Sequence, residues 1–335
     1  MTRSSLIPVT VLTGFLGAGK TTLLNRILSE QHGHKIAVIE NEFGPEGVDH
    51  ELLVQDYNEQ IVEMNNGCIC CTVRGDLARI LKELRDKQAS GALDFERVII
   101  ETTGMANPGP VTQTFFMDEA VAESYLLDAV ITVVDGVHGP QTLDEQVEAQ
   151  NQVGFADRIL VSKTDLIDAD ALAALRARLT RMNPRAGIKG VNFGQTEIAD
   201  ILDIRGFNLN AILDIAPEFL DGGHDHDHDH EGAHGDAIGA FVFKASRPFE
   251  ALRLEEFLDA IVQVHGNDLL RYKGVLWVNE SDRRVVFQGV HMMMGSDLGR
   301  KWESGETRSS KMVFIGRNLP TATILEGLER CLISE

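Results

Sequence analysis

The most informative pattern for chemistry lies near the N-terminus, where residues 14–21 read Gly-Phe-Leu-Gly-Ala-Gly-Lys-Thr. This is the spacing G-x-x-x-x-G-K-[ST], placed between a short apolar run and a helical pattern. Glycines allow a tight loop whose backbone N–H groups meet phosphate oxygens, lysine adds a positive charge, and a hydroxyl reaches Mg²⁺. The pattern therefore predicts a nucleoside triphosphate site, whose alternative is a turn without ligand. Its residues are Gly14, Gly17, Ala18, Gly19, Lys20, Thr21 and Thr22.

An acidic partner for that loop is expected at the end of another strand. Glu101 directly follows the apolar run Val-Ile-Ile, and Gly104 comes three residues later. The carboxylate would complete the Mg²⁺ shell through water, and the glycine would let a backbone N–H approach the γ-phosphate. We therefore predict that Lys20, Thr21 and Glu101 act in catalysis. The alternative is a strand-end carboxylate that only caps the following turn.

Residues further along the chain indicate which nucleotide base the site binds. Ser162, Lys163 and Asp165 follow a predicted strand. A carboxylate there can accept hydrogen bonds from N1–H and the 2-amino group of guanine, a pair of donors that adenine does not present, and the lysine stem can lie along the base. Ser162 stands where guanine-specific sites usually have asparagine. The pattern predicts GTP, with an incidental Lys-x-Asp match as the alternative.

A cluster of thiols suggests a metal site. Cys68, Cys70 and Cys71 lie within four residues, and in an extended segment the first two share one face while the third needs a turn. Thiolates favour Zn²⁺ or Cu⁺, and tetrahedral Zn²⁺ would want another donor. Glu40 and Glu42, after the second predicted strand, are the carboxylate candidates. The alternative is that the cysteines are buried as small apolar side chains.

A second group of metal-binding side chains lies in a low-complexity segment. Its histidines alternate with Asp and would bind divalent ions loosely and exchange them fast. The alternative is a solvated acidic spacer. The histidines concerned are His224, His226, His228, His230 and His234.

Composition limits the possible partners. The 335 residues include 31 basic and 51 acidic side chains, a formal net charge of −20. This excess of carboxylates disfavours nucleic acid and anionic membrane surfaces as main partners. The four cysteines do not suggest a disulfide scaffold, no convincing signal peptide is present, and no apolar run reaches the ~18 residues that a membrane span needs. We expect a soluble, cytoplasmic protein.

Alternating strand and helix patterns predict an α/β domain with a mostly parallel sheet. Strands are expected at residues 8–12, 35–39, 97–100, 129–134 and 158–161, and helices at 21–31, 75–90, 108–117, 142–150 and 169–183. After the His/Asp-rich segment the order changes to strands 238–245, 270–278, 284–291 and 312–316 with helices 253–264 and 322–331. We therefore predict a P-loop NTPase domain (1–215), a flexible linker (216–236) and a smaller α+β domain (237–335).

With these motifs, the chain resembles the CobW-like group of P-loop metallochaperone GTPases, the CobW/HypB/UreG group. The resemblance is carried by residues 13–24, 39–44, 66–71, 101–104, 162–165, 270–274 and 287–290. It implies a GTPase that binds Zn²⁺ through the Cys-x-Cys-Cys segment and passes the metal to a client protein, with GTP hydrolysis gating the transfer.

Two other functions remain alternatives. One is a zinc storage or buffer protein with a mainly structural nucleotide site, and the other is a small-molecule kinase, for which no arginine-rich lid is visible. The sequence leaves open the physiological metal, the client protein, a homo-oligomeric state and the direction of nucleotide–metal coupling.

Overall fold

The computed structural model describes residues 6–30, 32–40, 60–61, 73–207, 236–303 and 305–334. These divide into two compact units, one of Met1–Arg178 with Arg185–Ile204 and one of Leu179–Pro184 with Arg205–Glu335. The predicted linker at 216–236 lies almost wholly outside the described residues, so its flexibility stays a prediction.

The first unit is built on a parallel sheet. Its described strands pair in the order β3-β2-β4-β1-β5-β6-β7, and every pair is parallel. The strands are β1 Ile7–Gly14, β2 Ile36–Glu40, β3 Gln60–Ile61, β4 Arg97–Glu101, β5 Tyr125–Asp135, β6 Arg158–Ser162 and β7 Gly187–Val191. Because parallel strands end at the same edge, the polar residues that follow them meet there.

Helices alternate with these strands, which confirms the α/β prediction. The first helix packs Leu23, Leu24 and Ile27 into a core with Leu12 of β1 and Ile131 of β5. Burial in such a sheet explains why the central strands are continuous apolar runs. The helices are α1 Lys20–Ser29, α2 Val73–Ala89, α3 Pro108–Met117, α4 Glu119–Ala122, α5 Gly139–Glu145, α6 Val147–Phe155 and α7 Ala169–Met182.

The prediction of a single helix at residues 142–150 is wrong. Two helices, α5 and α6, are separated by Gln146, whose backbone is extended (φ −124°, ψ 112°). The side chain of Gln150 donates to the Leu143 carbonyl at 2.8 Å, an acceptor that a continuous helix would use for its own backbone. The sequence pattern also missed β7, whose five residues include two glycines and a lysine.

The second unit confirms the predicted α+β class. Its five described strands form an antiparallel sheet in the order β11-β10-β9-β12-β8, and two helices pack their apolar residues into the same core as Tyr272, Phe287 and Phe314. The elements are β8 Ile238–Ala245, α8 Ala251–His265, β9 Leu269–Leu276, β10 Arg283–Val290, β11 Met293–Lys301, β12 Ser310–Arg317 and α9 Thr321–Arg330.

One strand of this sheet was not predicted. β11 lies at the sheet edge and exposes most of its residues, including polar ones on both faces, so it has no alternating apolar pattern. Among the described residues, no helix combines the length and the apolar character that crossing a membrane requires.

Candidate nucleotide site

The loop between β1 and α1 has a backbone that requires glycine. Gly14 has φ +142°, and a Cβ there would lie 2.3 Å from the carbonyl oxygen of Val133. Gly19, immediately before α1, has φ +101° in the left-handed region that glycine adopts at little steric cost. A larger residue at position 14 would clash with β5, and one at position 19 would strain the turn that leads into α1. The glycine pattern thus has a steric basis in the fold.

Lys20 is the first residue of α1, and its side chain extends back into this loop rather than into solvent. Its side chain donates hydrogen bonds to the carbonyl oxygens of Gly14 at 2.8 Å and Phe15 at 3.3 Å, and the residue is only 8% exposed. Burial lowers the pKa of Lys20, and the nearby Glu101 carboxylate opposes part of that shift. A cation held by neutral carbonyls in this way is suited to meet an anion that enters the loop.

Thr21 and Glu101 come together although 80 residues separate them. The Thr21 hydroxyl donates to Oε1 of Glu101 at 3.0 Å, and Glu101 is buried at the end of β4. A hydroxyl and a carboxylate are hard oxygen donors of the kind that Mg²⁺ accepts, commonly with water in the remaining positions. The donor set therefore fits the magnesium expected with a nucleoside triphosphate.

The loop after Glu101 lies against the glycine-rich loop. The Thr102 N–H donates to the Leu12 carbonyl at 2.9 Å, and its hydroxyl donates to the Thr13 hydroxyl at 2.8 Å. Gly104 approaches the neighbouring loop so closely that a Cβ would lie 2.6 Å from the Leu16 nitrogen. Only glycine fits this contact without a shift of backbone.

Asp135, the last residue of β5, is linked to Lys163 of the predicted base-binding segment. Its Oδ2 accepts a hydrogen bond from Lys163 at 2.6 Å, and Oδ1 accepts from the N–H groups of Val137 and His138. Burial alone would raise the pKa of Asp135, but the bonds from Lys163 and the backbone outweigh it and hold that pKa below its ordinary value. The same Lys163 ammonium donates to the Gly17 carbonyl at 3.1 Å.

The base-side loop explains why serine stands at position 162. The Ser162 hydroxyl is buried and donates to the Ala18 carbonyl at 2.7 Å, so it ties β6 to the glycine-rich loop. Asp165 is exposed to solvent, so its carboxylate is accessible to the guanine base of a nucleotide. Lys163 between them has a left-handed backbone with φ +55°.

Sequence reasoning missed Asn192, which follows β7. Its side-chain oxygen accepts hydrogen bonds from the N–H of Thr164 at 2.9 Å and from the Thr164 hydroxyl at 2.8 Å. These bonds hold the backbone between Lys163 and Asp165. No local pattern marks this asparagine, because it acts on a residue 28 positions earlier.

Gln152 of α6 was also missed. Its side-chain amide donates to the carbonyl oxygens of Gly104 at 3.1 Å and Ala106 at 3.0 Å, and the residue is 1% exposed. The Thr132 hydroxyl on β5 in turn donates to the Gln152 carbonyl at 2.7 Å. A glutamine within a helix 48 residues away carries no sequence signal of such a contact.

A cavity of about 250 Å³ adjoins this arrangement. It is bordered by Phe15, Leu16 and Gly17 of the loop and by Asp135, Gln152 and Lys163 from the strands and helices beside it. Of the predicted nucleotide residues, Gly17, Ala18 and Lys163 border this cavity, and the individual roles of all of them stay predictions.

The predicted zinc ligands are mostly beyond the described structure. Glu40 is the last residue of β2, is exposed, and is the register partner of Glu101 on β4. No group of three or more His, Cys, Asp and Glu side chains suited to a metal occurs within the described residues. The other predicted ligands lie outside the described residues: Glu42, Cys68, Cys70, Cys71, His224, His226, His228 and His230.

Family models match both units. Residues 8–189 match the CobW/HypB/UreG nucleotide-binding domain, and residues 238–332 match the cobalamin synthesis protein cobW C-terminal domain. The chain is 42% identical to the zinc chaperone YjiA of Escherichia coli K12, over 95% of this chain and 96% of that protein. It is 34% identical to the zinc chaperone CobW of Pseudomonas aeruginosa, over 97% and 92% of the two chains.

A solved structure agrees with these sequence matches. The crystal structure of the Zn(II)-bound YjiA GTPase from Escherichia coli superposes with a TM-score of 0.80 at 37% identity, over 98% of this chain and 100% of that one. Matches of this extent cover the parallel sheet, the glycine-rich loop and the antiparallel unit together. The chain therefore belongs to the CobW/HypB/UreG family of P-loop GTPases.

Proposed function

We propose that this GTPase is a zinc metallochaperone that passes its metal to a client protein under the control of the bound nucleotide. Two relatives that align over almost the whole chain are named zinc chaperones, which supports zinc as the cargo. The charge of −20 is compatible with a protein that collects cations.

The observation that carries the coupling is the pairing of Glu40 with Glu101. These residues are register partners at the ends of adjacent strands β2 and β4, and neighbouring strands lie about 4.8 Å apart. The predicted zinc segment, with Glu42 and the three thiols, follows β2 along the chain, whereas Glu101 contacts Thr21. In this proposal, a shift of Glu101 that accompanies a change of nucleotide is transmitted from β4 to Glu40 on β2, where the zinc segment begins.

In this proposal the glycine-rich loop holds the phosphates. Lys20 exchanges its carbonyl partners for phosphate oxygens, and backbone N–H groups of the loop complete the contact. Thr21 and Glu101 would hold Mg²⁺, directly or through water, and the ion would supply positive charge against the phosphates.

The guanine base is bound by the segment that follows β6, which contacts the glycine-rich loop through Ser162 and Lys163. Asp165 accepts from guanine N1–H and the 2-amino group, while the Lys163 stem lies along the ring. Asn192 keeps the backbone between these two residues in place through its bonds to Thr164. Ser162 contributes by bonding the loop carbonyl of Ala18 rather than by touching the base.

Zinc is bound by thiolates of Cys68, Cys70 and Cys71 together with Glu42 or Glu40, a donor set that suits tetrahedral Zn²⁺. The histidines of the tract at residues 224–234 collect the ion more loosely and exchange it faster. Linkage then requires that zinc and nucleotide shift each other's affinity by the same factor.

The deciding experiment is a competition titration of Zn²⁺ into the reduced protein with Mg²⁺ and either no nucleotide, GDP or a non-hydrolysable GTP analogue. We expect the zinc affinity to differ between the GDP and GTP-analogue forms, and the difference to vanish in Lys20→Ala. Equal zinc affinity in all three states, with equal zinc transfer rates to a chelator during turnover, would overturn nucleotide control.

Deletion of residues 223–235 separates a chaperone from a buffer. A chaperone keeps its high-affinity zinc and its GTPase activity without the histidine tract, since neither depends on it. A buffer protein would lose most of its zinc capacity and show no nucleotide dependence.

A further inference from the structure

Gln152 holds the middle of the loop that follows Glu101. Three attachments fix this loop between β4 and α3: Thr102 bonds to β1 at its start, Asn107 caps α3 at its end, and Gln152 bonds the two carbonyls between them. The loop's own turn adds one bond, from Ala106 N–H to the Thr103 carbonyl at 3.1 Å. The side chain that fixes the centre of the loop therefore comes from α6.

The two carbonyls determine the direction of the neighbouring N–H groups. In a planar trans peptide, C=O and N–H point in opposite directions. When the Gly104 carbonyl is turned toward Gln152, the N–H of Met105 is turned away from α6. A buried amide that donates to two carbonyls at once fixes this orientation more strongly than either bond alone.

Gly104 also lies against Leu16 of the glycine-rich loop, so the loop between β4 and α3 packs directly against the glycine-rich loop. Any displacement of Gly104 toward the P-loop would meet Leu16, and any displacement away from it would alter the two bonds to Gln152. A loop placed between these contacts is suited to respond to a γ-phosphate that is present in GTP and absent in GDP.

We propose that Gln152 is a positioning residue for GTP hydrolysis, which holds the loop at Gly104 so that its backbone N–H groups meet the γ-phosphate. This inference rests on the proposed placement of GTP at the P-loop. Gln152 does not touch the nucleotide, and it acts through the carbonyls of Gly104 and Ala106. Its effect is therefore confined to states in which the γ-phosphate is present.

The test compares Gln152→Met with a matched control in the same helix. Methionine keeps the length and the apolar stem of the side chain but removes both donor hydrogens. Gln150 is also buried, at 3% exposure, and its side-chain amide donates to the Leu143 carbonyl of α5 rather than to the carbonyls of Gly104 and Ala106. Gln150→Met therefore reports what the loss of a buried amide does to the fold alone.

We expect Gln152→Met to lower kcat by about tenfold and to weaken the GTP analogue severalfold, since two buried hydrogen bonds are lost. The affinity for GDP should stay within about twofold of wild type, because a diphosphate does not reach the loop. Gln150→Met should leave kcat and the preference for the GTP analogue unchanged at temperatures where both variants are folded.

Either of two results would overturn the inference. One is a kcat of Gln152→Met that equals wild type, and the other is an equal loss in Gln150→Met at matched stability. Lys20→Ala, measured in parallel, tests the placement of GTP separately. Full GTP binding by Lys20→Ala refutes that placement, whereas loss of binding by Lys20→Ala with normal hydrolysis by Gln152→Met refutes only the role of Gln152.

Discussion

Both units bury cationic side chains, and two of these, Lys20 and Arg284, differ in what surrounds them. Lys20 of the parallel unit is 8% exposed, and its described hydrogen bonds go to two neutral carbonyls of its own loop. Arg284 of the antiparallel unit is fully buried, forms an ion pair with Glu306, and lies 4.4 Å from the ring centre of Trp302. The first cation has carbonyl partners that an anion can replace, and the second has a counterion and an aromatic face from the segment between β11 and β12.

The antiparallel unit repeats this arrangement at a second place. The Arg271 guanidinium lies 4.0 Å and the Lys273 ammonium 5.1 Å from the ring centre of Phe207. Aromatic faces attract cations, most strongly when both are removed from water. The comparison indicates that the buried cations of the second unit stabilise its fold, whereas Lys20 of the first unit has partners that a ligand can replace; Arg178 of the first unit, paired with Asp144, resembles the former group.

Lys20→Ala gives the sharpest test of this contrast. Because the variant removes the charge that is proposed to meet the phosphates, GTP affinity should fall by about a thousandfold, near 4 kcal/mol. Fluorescent-nucleotide titration measures this loss, and thermal unfolding without nucleotide is the control. Retained tight GTP binding would show that Lys20 is as structural as Arg284.

Arg284→Ala should have the opposite profile. Loss of the ion pair and the ring contact, together with the space left behind, should lower the free energy of unfolding by about 3 kcal/mol. Urea denaturation measures this change. Below the unfolding transition, GTP affinity and kcat should match wild type, and a specific loss of GTP binding would contradict a purely structural role.

Asp165→Ala tests the base-reading end of the nucleotide site. Because the carboxylate is exposed and is proposed to accept two hydrogen bonds from guanine, its loss should weaken GTP about 30-fold, near 2 kcal/mol, and leave ATP unchanged. Competition between the two nucleotides measures the ratio. An equal loss for both nucleotides would mean that Asp165 supports the loop instead of the base.

Asp135→Asn should have the smallest effect, and that effect should depend on pH. Burial raises the pKa of Asp135, but the bonds from Lys163 and the backbone outweigh burial, so the folded pKa lies below the ordinary 3.8. A lowered folded pKa adds stability above that ordinary value and loses it as the pH falls through the folded pKa.

Wild type should therefore be more stable than Asp135→Asn by about 1 kcal/mol at pH 6, with the difference shrinking below pH ~3.8. Urea unfolding of both proteins at a series of pH values gives this difference, in which carboxylates common to both cancel. A difference that does not vary with pH would indicate that the pKa of Asp135 is the same in the folded and unfolded protein, which would contradict the lowered folded pKa.

The glycine-rich loop could be predicted because its pattern is local. Residues 14–21 form one turn whose glycines and lysine must stand at fixed spacing, and Glu101 is recognisable as the end of an apolar strand. The elements that escaped prediction have mixed patterns: β7 is rich in glycine, β11 is an exposed edge strand, and the break at Gln146 depends on a side chain four residues later. Pattern alone cannot distinguish such cases, since contacts elsewhere in the fold decide them.

The sequence by itself determined the α/β and α+β classes, the phosphate-binding loop and the family, because these depend on local spacing and on the alternation of apolar runs. Only the tertiary structure decided which distant residues support the loop: Gln152 bonds carbonyls 46 and 48 positions away, and Asn192 bonds Thr164 across 28. Parallel strands bring the ends of separate segments to one edge, so neighbours there are set by sheet order rather than by sequence. The physical reason is that a buried amide or carboxylate must find its hydrogen-bonding partners in the space where the fold places it.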